Sequence, residues 1–91
     1  MIRSFRHKGL AKLWNENDAR AVRADLRARV RRRLSALDAA QDLGELNLPG
    51  WRLHRLHGDP VRYAIDVNGP WRITFEWVEG DVLRVDLEQY H

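Results

Sequence analysis

The sequence predicts an α+β fold in which two N-terminal helices pack on one face of an antiparallel sheet of three to five strands. Three observations predict it. Apolar residues recur at helical spacing before residue 40 and alternate from Trp51 onward, and the turn formers Gly44, Pro49 and Gly50 separate the two regimes. At 91 residues the chain is expected to form one domain, 1–91, with a core that needs no disulfide.

Each element follows from local pattern. Ile2–Phe5 reads as a short opening strand. In Lys8–Trp14, Leu10, Leu13 and Trp14 fall on one side of a helical turn. Asn17-Asp18 offers a cap for a long second helix, Ala19–Ala40, whose stripe is Val22, Leu26, Val30, Leu34 and Leu37. Arginines fill the rest of its circumference, and Arg31, Arg32 and Arg33 cannot all face inward. WRLHRL then alternates Trp51 and Leu53 against Arg52 and His54. VRYAIDV places Tyr63, Ile65 and Val67 on one side, and Asn68-Gly69 is a strong hairpin signal ahead of Pro70. WRITFEWV sends Trp71, Ile73, Phe75 and Trp77 one way and Arg72, Thr74 and Glu76 the other. After the turn at Glu79-Gly80-Asp81, Leu83, Val85 and Leu87 are expected inward. With the helices covering the apolar face, the opposite face is expected to be open and lined by Arg52, His54, Arg72, Thr74 and Glu76.

Composition narrows the function classes. Cysteine is absent, which removes thiolate metal sites and disulfides and fits a reducing cytoplasm. The basic N-terminus has no apolar run of a signal peptide, and no stretch is long enough to span a membrane, so a cytoplasmic protein is expected. The net charge of +3 hides an asymmetry. Residues 1–33 carry eleven Lys/Arg against three acids, or +8, and residues 34–91 carry five Arg against ten acids, or −5. Fourteen of the sixteen basic residues are Arg, which forks onto phosphate and stacks on bases. A polyanionic partner is one reading of that charge; a solvated helix face is the other.

Several residues carry chemistry. Arg72, in the middle of a strand, needs a partner: a salt bridge to Glu76 or Asp86, or an anion bound in a shallow cleft. His54 and His57 form an HxxH pair, but residues three apart on a strand point to opposite faces and no further ligand keeps register with them. No metal and no cofactor is therefore expected. Tyr90-His91 closes the sequence just past the last strand. Together these types match what RNA cleavage by its own 2′-OH asks for: a base for that hydroxyl, a proton donor for the leaving 5′-oxygen, and positive charge for the phosphorane. Imidazole suits either proton role, arginine the third, and tyrosine stacks a base or donates a hydrogen bond.

The strings MIRSFRHKGLAKLW, WRLHRLHGD, VNGPWRITFEW and the terminal LEQYH resemble the HigB toxins of bacterial toxin–antitoxin systems, within the RelE/ParE superfamily. The match covers almost the whole chain, carried by Ser4-Phe5, His7-Lys8-Gly9, Gly58-Asp59, Trp71-Arg72 and Tyr90-His91. The resemblance implies a RelE-like fold and an mRNA endoribonuclease that enters the ribosomal A site. It also implies a cognate HigA-type helix-turn-helix antitoxin as partner, with operator DNA bound only through the toxin–antitoxin complex. By position, His54 matches a catalytic histidine, Arg72 the phosphate-stabilising arginine, and Tyr90 and His91 the catalytic pair at the end. His57 stands where many relatives have a lysine in LKGD, and Gln89 where the motif often reads EDYH. The expected catalytic set is thus His54, His57, Arg72, Tyr90 and His91, with Lys8, Arg32 and Arg52 toward RNA or ribosome. The His91 ring is expected near a phosphate held by Arg72. A gyrase-inhibiting toxin of the ParE kind, or a phosphate-binding RNA or DNA module, are the alternatives.

Overall fold

An imidazole cap opens the first helix. In the computed structural model, which describes residues 1–90, the His7 imidazole Nδ1 accepts the Leu10 backbone N–H at 3.1 Å and starts helix α1, Lys8–Glu16. An acceptor here satisfies one of the donors that every helix start leaves unpaired. Gly9 in this first turn has no room for a side chain: a Cβ would lie 2.8 Å from the Ala21 Cβ and 2.8 Å from His7 Cε1. The helix runs two residues past the expected Trp14 and ends at Asn17, which takes the left-handed conformation (φ 54°).

The second helix is shorter than its stripe suggests. Asn17 is spent ending α1, and Asp18 accepts both the backbone N–H and the guanidinium of Arg20. The backbone then turns, with Arg23 extended, through a 3-10 segment at Ala24–Leu26 before helix α2, Arg27–Ala39. Arg27 Nε donates to the Val22 carbonyl at 2.8 Å and ties this turn to the helix. All five stripe residues are buried, but only Val30, Leu34 and Leu37 belong to α2 itself.

Strands β1 (His54–Arg55), β2 (Tyr63–Asn68), β3 (Trp71–Val78) and β4 (Asp81–Gln89) form one antiparallel sheet in the order β1-β2-β3-β4. Together with the two helices ahead of them, they bear out the predicted class. The helices and one sheet face enclose a core of Leu10, Leu26, Leu34 and Leu37 against Ile65, Ile73, Phe75, Val82 and Val85. The β3–β4 turn, Glu79-Gly80, has positive φ at both residues (50° and 86°), as a tight hairpin of the right twist requires. No helix among the described residues is long and apolar enough to cross a membrane.

Four expectations need correction. Ile2–Phe5 is not a regular strand: Ile2 and Phe5 make isolated parallel bridges to Val82 and Val85. The expected strand over WRLHRL shrinks to His54–Arg55, because Arg52 adopts φ 49° and breaks the extended backbone. In β4 the inward residues are Val82, Val85 and Leu87, while Leu83 is only half-buried. The register shifts between Thr74 and Glu76, so β4 carries an extra residue; Arg84 there takes φ 48°, its N–H donated to Ser4 Oγ at 2.9 Å. Finally, the second sheet face is not open along its length. Thr74 (0% exposed) and Glu76 (5%) lie beneath the side chains of Arg62 and Arg84.

Candidate active site

Strand register decides which side chains meet on this second face. Directly opposed residues share a face with their Cβ atoms about 5 Å apart. One row across the sheet is therefore His54, Ala64, Thr74 and Asp86, and the next is Asp66, Arg72 and Glu88. Arg52 joins the second row through an ion pair to Asp66 Oδ2 at 3.1 Å.

Arg72 is the centre of that row and is half-buried. Neither Glu76 nor Asp86 pairs with it. Glu76 is gripped at both oxygens by the Arg84 guanidinium (2.6 and 2.7 Å) and receives Arg62 at 3.2 Å, while Asp86 faces Arg6 at 3.9 Å. Among the described residues no carboxylate is within ion-pair distance of Arg72. Its guanidinium carbon instead lies 4.8 Å from the Tyr90 ring centre. Tyr90 is brought there by its own backbone, whose N–H donates to the Pro70 carbonyl at 3.1 Å and docks the end of β4 on the β2–β3 turn.

His54 stands in the neighbouring row. Its Nδ1 is 2.7 Å from the Arg52 carbonyl, an atom that only accepts, so Nδ1 carries the proton. In the neutral ring Nε2 is then the basic nitrogen. Ala64, the next residue in the row, offers no side chain beyond Cβ between His54 and Thr74.

The other expected residues are distributed differently. His57 is exposed on the β1–β2 loop and lines a pocket of about 390 Å³ with Arg55, Leu56 and Gly58, to which neither Arg72 nor Tyr90 contributes. His91 and the expected placement of its ring lie outside the described residues. Lys8 and Arg32 are exposed on α1 and α2, and Arg52 is exposed yet committed to Asp66. Among the described residues no three His, Asp or Glu side chains gather as a metal site.

Residues 3–91 match the model of a family described as the RelE-like toxin of type II toxin-antitoxin system HigB. The chain belongs to the HigB toxin family. It is 42% identical over 92 residues to Endoribonuclease HigB of Proteus vulgaris, covering the whole of both chains. It is 30% identical over 93 residues to Toxin HigB-1 of Vibrio cholerae serotype O1, covering 99% of this chain and 98% of the other. Membership of a type II toxin–antitoxin family implies an antitoxin as partner.

Residues that the sequence pattern did not single out hold this candidate site together. Arg33 points inward from α2: it is 6% exposed, stacks 4.6 Å over the Trp51 ring, and donates through Nε to the Asp66 carbonyl at 2.6 Å. Burial lowers its pKa, with Arg29 and Arg32 adding to the effect, but a guanidinium stays charged. Arg62, its side chain only 11% exposed, donates to Glu76 Oε2, to Thr74 Oγ1 at 2.9 Å and to the Arg84 carbonyl at 3.0 Å. Thr74 Oγ1 donates onward to Glu88 Oε2. A signal for Asp66 and Glu88 did exist. Once the β2–β3 and β3–β4 turns are set, both fall opposite Arg72.

Proposed function

We propose that this HigB-family toxin is an endoribonuclease that cleaves mRNA in the ribosomal A site and so arrests translation. The observation that carries the reading is the stacking of Arg72 on Tyr90, with His54, its Nε2 left free, in the neighbouring row of the same sheet face. Full-length similarity to a protein named an endoribonuclease supports it.

The chemistry follows from what each group can do. A scissile phosphate on the Arg72 guanidinium receives two parallel N–H donors, and these strengthen as the phosphorane gains charge. His54 Nε2, left free because Nδ1 faces the Arg52 carbonyl, is suited to take the 2′-OH proton as that oxygen attacks phosphorus. His91 is assigned the proton donor to the departing 5′-oxygen, with the reverse sharing between the two histidines as the alternative. Tyr90 offers its ring edge or hydroxyl to the nucleotide while stacking the guanidinium. His57, on its separate pocket with Arg55, is assigned to the flanking phosphate rather than to proton transfer.

Lys8 and Arg32, exposed on the basic helical layer, supply phosphate contacts to ribosomal RNA, and Arg52 borders the mRNA site. A HigA-type helix-turn-helix antitoxin is the proposed neutralising partner, with operator DNA engaged through the complex. The site of action is the cytoplasm, where ribosomes translate. The test is induction followed by primer extension on translated mRNA. Wild type should give cuts within codons, and Arg72→Ala or His54→Ala at equal expression should give none and restore growth. Full toxicity of either variant would overturn the mechanism.

A further inference from the structure

Arg72 is flanked on both neighbouring strands by a directly opposed carboxylate, Asp66 on β2 and Glu88 on β4. Opposite charges directly across an antiparallel pair ordinarily join. Here neither does. Asp66 turns its Oδ2 to Arg52, and Glu88 turns its Oε2 to the Thr74 hydroxyl, which Arg62 holds from the other side. One consequence is visible at atom level: Asp66 Oδ1 and Arg72 Nε, on opposed residues, are both buried without a hydrogen-bond partner among the described residues. A fold that leaves such a bond unmade gives up local stability at the one arginine whose charge the reaction uses.

We infer that Thr74 and Arg52 are positioning residues that hold the two flanking carboxylates off Arg72 and so keep its guanidinium available to an RNA phosphate. The inference rests on the endoribonuclease reading and deepens it. Thr74 acts with Arg62 behind it: the hydroxyl accepts from the guanidinium and gives its own proton to Glu88, so its orientation is fixed at both ends. Arg52 acts from the edge of the sheet, where its exposed side chain reaches back over Asp66. Either carboxylate, once released, stands on the strand directly opposite Arg72. It would then compete with phosphate for the same N–H groups at far higher effective concentration.

Thr74→Val removes the hydroxyl at nearly constant shape. It should lower cleavage of translated mRNA about tenfold or more, as loss of a transition-state charge contact does. Thr74→Val/Glu88→Gln should recover most of that loss, since the amide no longer competes as an anion. A merely structural role for Thr74 predicts no such recovery. Should Thr74→Val fail to fold, Arg52→Ala asks the same question at an exposed position, with Asp66→Asn as the restoring change. The Arg72 guanidinium Nη–H resonance, followed during titration with inorganic phosphate, reports the donors beyond the buried Nε without any chemistry. It should shift in the wild type and resist in Thr74→Val. Thr74→Val as active as the wild type, or a double variant as poor as the single, overturns the inference while leaving the nuclease reading intact. If the wild type cuts no RNA but the resonance behaves as described, the positioning stands and the nuclease reading falls.

Discussion

Replacing Arg33 by methionine tests how helix α2 is fastened to the sheet beneath the site. The guanidinium is almost fully buried, donates to the Asp66 carbonyl at 2.6 Å and to the Arg29 carbonyl at 3.2 Å, and lies 4.6 Å over Trp51. Methionine keeps the stem and most of the volume but leaves the Asp66 carbonyl without its donor. A hydrogen bond from a charged group contributes about 1.5–3 kcal/mol. Stacking on the indole adds about 0.5–2 kcal/mol, and relief of the buried charge offsets part of the sum. The net loss is about 2 kcal/mol for Arg33→Met and nearer 3–4 kcal/mol for Arg33→Ala, which also opens a cavity. At roughly 4–8 °C per kcal/mol for a domain of this size, Arg33→Met should melt about 10 °C below the wild type. Thermal unfolding followed by circular dichroism measures this directly. A melting point for Arg33→Met equal to or above the wild type would show that desolvation cancels both contacts, and would refute the assignment of Arg33 as a fastener.

Gly9→Ala should destabilise the fold by about 1 kcal/mol or more despite its better helix propensity, because the new Cβ meets both the Ala21 Cβ and the capping His7 ring at 2.8 Å; Ala21→Gly should recover only part of the lost melting temperature, since the His7 contact remains. Arg84 and Arg62 hold the Glu76 carboxyl below the ordinary glutamate range, so its stabilisation is present above the unfolded-state pKa and fades as pH falls through the depressed folded value. The melting-point gap between wild type and Glu76→Gln should accordingly be widest near neutrality and close below about pH 4 in a pH series of melts. Arg72→Lys keeps a charge but loses the fork and the Tyr90 stack, and single-turnover cleavage should drop about 100-fold with the melting point nearly unchanged. Removing Tyr90 and His91 should abolish toxicity while leaving the fold, since the Tyr90 side chain lies outside the apolar core.

The parts of this molecule legible in the sequence are those governed by periodicity. The stripe Val22 to Leu37 and the alternation of β2 and β3 both name core residues correctly, because burial follows side-chain spacing whether or not the backbone is a single helix. Where backbone conformation departs from the period, the reading fails locally. Arg52 and Arg84 at positive φ cut one strand short and move the inward set of β4 from Leu83 to Val82, and nothing about an arginine announces a left-handed backbone. The site was legible as a list and illegible as a network. Arg72, His54 and Tyr90 are recognisable by type, but whether Arg72 is quenched or available depends on where Asp66 and Glu88 turn. That choice is made by Arg52, Thr74 and Arg62, from the sheet edge, the next row and the β1–β2 loop. Charge on a sheet face is thus decided pairwise and across strands, so a residue's role there follows from its neighbours' commitments rather than from its own identity.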